Sequence, residues 1–106
     1  MIIYNVTCSV DGDVVEDWLS WIREDHIPAV LETGLFIRAT INRVLSEEDS
    51  QYTYAIKYYC INLRLLQDYE RNHANRLRED HLRRYGDKVL SFRTVLRQID
   101  SFNRLA

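Results

Sequence analysis

The chain has 106 residues, of which 46% are apolar types and 28% charged, with a formal net charge of -2. That length suits one domain with one core, and the composition excludes a disordered or fibrous chain. The near-neutral charge supplies no general drive to bind polyanions, and the apolar runs are too short to cross a bilayer.

Ile2, Tyr4, Val6, Cys8 and Val10 alternate with Ile3, Asn5, Thr7 and Ser9, the two-residue period of a half-buried strand. The pattern predicts a strand at the start rather than a leader segment. Asp11, Gly12 and Asp13 form a turn, and the Asp13 to Glu16 spacing predicts a capping box for the first helix. On that helix Val15, Trp18, Ile22, His26 and Ala29 share a face that should lie on the sheet. Pro28 lacks an amide hydrogen and crowds the carbonyl four residues back, so a kink is expected next to His26. Gly34 suits a left-handed residue that closes the helix.

A second strand is expected over residues 35 to 45, with Leu35, Ile37, Ala39 and Ile41 opposite Phe36, Arg38, Thr40 and Asn42. The polar run 46 to 50 makes the turn, and residues 51 to 61 return as a third strand, Tyr52, Tyr54, Ile56, Tyr58 and Cys60 alternating with Thr53, Ala55, Lys57 and Tyr59. So short a connection pairs neighbours antiparallel. Asn62 caps a long second helix reaching about Arg84, whose expected buried stripe is Leu63, Leu66, His73 and Leu77, flanked by Tyr69 and His81. After Gly86 and Asp87 a last strand, residues 88 to 99, alternates Leu90, Phe92, Thr94 and Leu96 with Ser91, Arg93, Val95 and Arg97. The fold class is therefore α+β, a β-α-β-β-α-β sandwich with two helices on one face of a four-stranded antiparallel sheet. It forms a single domain over residues 1 to 106, with 100 to 106 as a C-terminal extension.

Two helices cover only one sheet face. Both faces of the first three strands carry aromatic or branched groups such as Ile3, Phe36 and Tyr59, so the helix-free face is expected to meet a second copy in a two-fold dimer. Cys8 and Cys60 lie in different strands without partners at metal-ligand spacing, which predicts reduced core thiols and a cytoplasmic protein.

The run His26, Ile27, Pro28, followed by Val30, Thr33, Gly34 and Phe36, resembles a family of short bacterial proteins classed only as a domain of unknown function. The resemblance extends through His73, Leu77, Arg78, His81, Tyr85, Gly86, Phe92, Arg93 and Thr94, and takes in the opening Met-Ile-Ile-Tyr-Asn-Val. It implies a ferredoxin-like fold similar to the dimeric α/β barrel superfamily. Tyr85 stands where the family pattern has a phenylalanine. The resemblance brings no established reaction or cofactor, and function lives in sites rather than scaffolds.

Three histidines and a few strand residues are the site candidates. His26, His73 or His81 could line a pocket as an acid-base group or haem ligand. The competing expectation is an interior histidine bonded to a tyrosine, a carboxylate or a freed carbonyl. Arg38 and Arg93 are charges inside strands and suit a carboxylate or phosphate, while Tyr54 and its strand neighbours could line a ring-binding cleft. No metal motif is present and no cofactor is expected. The basic residues of the second helix are interleaved with acids, which argues for a salt-bridged solvent face over a nucleic-acid surface. The leading expectation is a homodimeric binding or structural module for a small molecule or protein partner, without a membrane role. The alternatives are an enzyme of the small monooxygenase type with a histidine in its pocket, and an RNA-binding protein.

Overall fold

A computed structural model describes residues 1–46 and 52–105. Strand β1 (Ile2–Val10) leads to helix α1 (Val15–Trp21), a π-helical turn (Ile22–His26) and helix α2 (Ile27–Glu32). Strands β2 (Arg38–Arg43) and β3 (Tyr52–Cys60) follow, then helices α3 (Leu63–Asn72) and α4 (Ala74–Tyr85), a short 3-10 turn, and strand β4 (Val89–Arg97). The sheet order is β2-β3-β1-β4 and every neighbouring pair is antiparallel. This is the expected α+β, ferredoxin-like arrangement, with each expected helix divided in two. The expected turn over residues 46 to 50 falls mostly outside the described residues.

The register decides which side of each strand is which. Tyr4 pairs with Tyr58 and Val95, and Val6 with Ile56 and Arg93, so these residues share the helix-covered side. Ile2, Tyr4, Cys8, Val10, Tyr54, Ile56, Tyr58 and Cys60 are all buried there, beneath Trp18, Ile22, Val30, Leu66, Tyr69 and Leu77. On β4 the alternation runs the other way. Only Val89 is buried on the helix side, where Arg93, Val95 and Arg97 are exposed. Leu90, Phe92 and Leu96 pair with Ser9, Thr7 and Ile3 and therefore point to the helix-free side.

Local chemistry accounts for the first break. Pro28 cannot donate to the carbonyl four residues back, and the chain takes a wider turn before it: the Ile27 amide donates to the Ile22 carbonyl, a five-residue step. Pro28 then sits in the first turn of α2, where no amide hydrogen is needed. The second helix breaks at His73, whose φ of -131° falls outside the helical region. The break shifts the phase, so Ala74, Leu77 and Tyr85 are buried on α4, while Leu63 and His73 leave the expected stripe. Asn62 caps α3 as expected, its Oδ1 accepting from the Leu65 amide at 3.0 Å.

Three expectations need correction. The Asp13 capping box is absent: Asp11 Oδ1 instead accepts from the Asp13 amide, and α1 starts from Val14 without a side-chain cap. The second strand is shorter than 35 to 45, because Phe36 turns inward before it and packs on Tyr58 and Tyr69 at centroid distances of 5.4 and 4.9 Å. Phe36 therefore does not contribute to the helix-free face. Its exposed apolar groups come from β4 instead, Phe92 being 66% exposed.

Candidate functional site

Polar residues on the helix side of β4 leave that margin of the sheet incompletely covered, and a narrow cleft lies there between sheet and helices. Its cavity volume is small, about 40 Å³, with a mouth open to solvent. β1 contributes Tyr4, Val6 and Cys8, β3 contributes Ile56 and Tyr58, and β4 contributes Ser91 and Arg93. The π turn supplies Ile22 and His26, α3 supplies Tyr69, and α4 supplies Leu77, Arg78 and His81.

Of the candidate residues, His26, His81 and Arg93 meet in this cleft. The imidazoles of His26 and His81 lie 5.8 Å apart, and Trp21 packs on both, at 5.0 and 5.6 Å. His81 Nε2 accepts from the Trp18 indole at 2.9 Å, so in the neutral ring the hydrogen is on Nδ1. Burial, reinforced by the neighbouring His81 against a weaker opposite pull from Asp80, lowers His26 from the ordinary 6.5 to about 4. Burial, with Arg93 adding to it, also lowers His81. Both rings are therefore neutral near pH 7.

The other three candidates lie elsewhere. His73 sits at the break between α3 and α4, stacked on Tyr69 at 6.4 Å with its Nδ1 3.1 Å from an Arg76 nitrogen. Arg38 is on the helix-free side, its guanidinium 3.9 Å above the Tyr59 ring. Tyr54 is buried against Trp18 at 5.4 Å.

Several cleft residues escaped the sequence reading. Arg78 looked like one more solvated helix charge, yet one of its nitrogens donates to the Tyr4 hydroxyl at 2.8 Å and to both Glu70 oxygens at 2.8 and 3.0 Å. Cys8 is a free, buried thiol 3.5 Å from Ser91 Oγ, and burial pushes its pKa up, so it stays protonated. Tyr58 and Tyr69 are held above the ordinary phenol range, again by burial. Alternation grouped Tyr4 with Cys8 and Tyr58 with Tyr54 and Ile56, but it did not say which side met the helices or that a gap lies beside them.

Arg93 differs from Arg78, the other guanidinium of the cleft. Its side chain is at the exposed margin of the cleft, and among the described residues it has no ion pair or hydrogen bond. Among the described residues, no Asp or Glu lines the cleft. Cys8 is bonded to Ser91 and His81 to Trp18, so neither is engaged with the other as nucleophile and base. Among the described residues, no group of three or more His, Cys, Asp or Glu side chains is placed to hold a metal ion.

Known structures share the fold at low identity. A protein of Deinococcus radiodurans carrying a provisional assignment as an antibiotic biosynthesis monooxygenase has a TM-score of 0.72 at 14% identity, with both chains fully covered. HapK from Hahella chejuensis gives 0.70 at 8% identity, again over all of both chains. A dimeric ferredoxin-like protein from an uncultured marine organism gives 0.70 at 13% identity, covering 98% of this chain and all of that one. No curated protein matches the sequence. The family model described as a domain of unknown function, DUF4286, matches residues 1–99, and the chain belongs to that family.

Proposed function

We propose that the protein is a homodimeric binding module of the cytoplasm, in which each copy takes a small molecule into the cleft between its helices and its sheet. The observation that carries this reading is the cleft itself, a mostly apolar space on which two neutral imidazoles and one unpaired guanidinium converge. Binding sites combine apolar walls with a few polar anchors in this way. The paired copy rests on the helix-free face, where Ile3, Leu90, Phe92 and Leu96 lie together. Covering that face removes apolar surface from water. Two fold relatives are described as dimeric, which agrees with this arrangement. Both cysteines are free, as suits a reducing compartment, and no helix among the described residues is long and apolar enough to cross a membrane.

Sedimentation equilibrium tests the pairing. The protein should sediment as a dimer and Phe92→Asp as a folded monomer, since the substitution puts a charge into the apolar face without touching the core. A wild-type chain that stays monomeric at high concentration would remove this part of the proposal.

An enzymatic reading has one specific observation in its favour. His26 stands at the cleft wall, where its ring can hydrogen-bond a bound molecule, although burial makes it a weak base. Oxygen uptake that requires an added small molecule, and is lost in His26→Ala, would establish an oxygenase. The RNA-binding reading has no such support, and several of the basic groups are already paired: Arg78 with Glu70, Arg83 with Asp80, Arg84 with Asp17 and Lys88 with Asp11.

A further inference from the structure

We propose that the cleft selects a small organic monocarboxylate, whose apolar body lies among Val6, Ile56, Leu77 and the tyrosine rings and whose carboxylate pairs with Arg93. The inference rests on the reading of the cleft as a binding site and deepens it by naming the class of ligand.

Charge accounting narrows the choice. Two guanidinium groups line the cleft, and Arg78 is committed to both oxygens of Glu70 and to the Tyr4 hydroxyl. Of these two, Arg93 has no anionic partner among the described residues, and none of the described residues lining the cleft is a carboxylate that would compete for it. An arginine fork matches a carboxylate in shape, and a pairing at the margin of an apolar cleft is less screened than one on open surface. The cleft thus offers one uncompensated positive charge. A second negative charge on the ligand would be desolvated without a counter-charge, so phosphate-like dianions are disfavoured.

The remaining polar groups agree with this. His81 uses Nε2 as acceptor for Trp18, which leaves Nδ1–H as its hydrogen-bond donor. Ser91 Oγ and the Tyr69 hydroxyl add neutral donor and acceptor capacity. These groups can orient a carboxylate without adding charge. The walls are apolar or aromatic, so the rest of the molecule must be apolar and small enough for a narrow space.

The test uses the full-length protein and three probes: benzoate, its uncharged analogue benzamide, and inorganic phosphate. Binding is followed by amide chemical shifts at Val6, Cys8, Ser91 and Arg93, with calorimetry for affinity. Benzoate should move these resonances saturably, benzamide and phosphate should bind at least about tenfold more weakly, and Arg93→Met should weaken benzoate by a similar factor. Arg93→Lys should recover part of the affinity, since the charge is kept and the fork lost. Arg93 is exposed, so its replacement leaves the core intact. If benzamide binds as tightly as benzoate and Arg93→Met changes nothing, the ligand class is wrong while the cleft remains a binding site. If no probe moves the cleft resonances at millimolar concentration, both this inference and the reading beneath it are overturned.

Discussion

Trp18 has no exposed surface, yet its indole carries a donor that must be satisfied, and His81 Nε2 satisfies it at 2.9 Å. His81→Ala should therefore destabilise the protein by about 1–3 kcal/mol in urea unfolding, because it orphans a buried N–H. His81→Gln, which keeps an acceptor, should recover part of the loss. His26 has a different signature. Its folded pKa, about 4, is below the ordinary 6.5, so on acidification the unfolded chain takes up a proton first. The stability this ring contributes is fully present above about pH 6.5 and is lost progressively down to about pH 4, by up to about 3 kcal/mol. His81 is lowered as well and adds to the loss in the same direction. The charged or titratable groups acting on His26 are His81, Asp80 and Arg93. A urea-unfolding series across this range should show the decline in the wild type and a flatter profile in His26→Leu.

Among the elements, the strands were legible because a period of two needs only one strand to be read at a time, whereas register depends on how neighbouring strands and their turns fit together. Asn62 as a cap, Gly34 as a left-handed residue and Gly86 as a helix end were legible for the same local reason, each being decided within a few residues. Gly34 and Gly86 do have positive φ, 79° and 57°. At Gly86 the accompanying ψ of -131° lies well outside the left-handed helical region. Gly86→Ala should lower the melting temperature by more than Gly34→Ala, the strain at such a position being about 1–3 kcal/mol. The helix interruptions were read less well. Pro28 announces a disturbance, but whether the chain kinks or widens depends on the sheet beneath it. His73 carries no breaker chemistry at all, so nothing in its local sequence announced the break. Phe36 was placed on a strand because it follows Leu35 and precedes Ile37. Its true position is set by Tyr4, Tyr58 and Tyr69, residues distant in sequence.

For the whole molecule, the informative pattern is the reversal on β4. Leu90, Phe92 and Leu96 point away from the helices, while Ser91 and Arg93 line the cleft. Sequence alternation separated those two sets correctly, but only the register could say which set faced the helices. The same limit explains why His26, His81 and Arg93 came out of the sequence as separate candidates and not as one cluster: they lie on three elements. The tail beyond β4 carries Ile99, Phe102 and Leu105, each about nine-tenths exposed. Exposed apolar residues in a terminal segment gain little while they stay in water. Removing residues 99 to 106 should leave the circular dichroism spectrum and urea midpoint nearly unchanged, since no core residue lies there.

One consequence of the sheet's two-sidedness concerns stoichiometry. Neighbouring residues on β1 and β4 look in opposite directions, so a molecule entering beside the helices and a copy docking on the far side would share a strand but no contact. Titration with a bound acid should then follow a simple hyperbola, one molecule per chain with no cooperativity, whether the protein is concentrated enough to pair or dilute enough to be single.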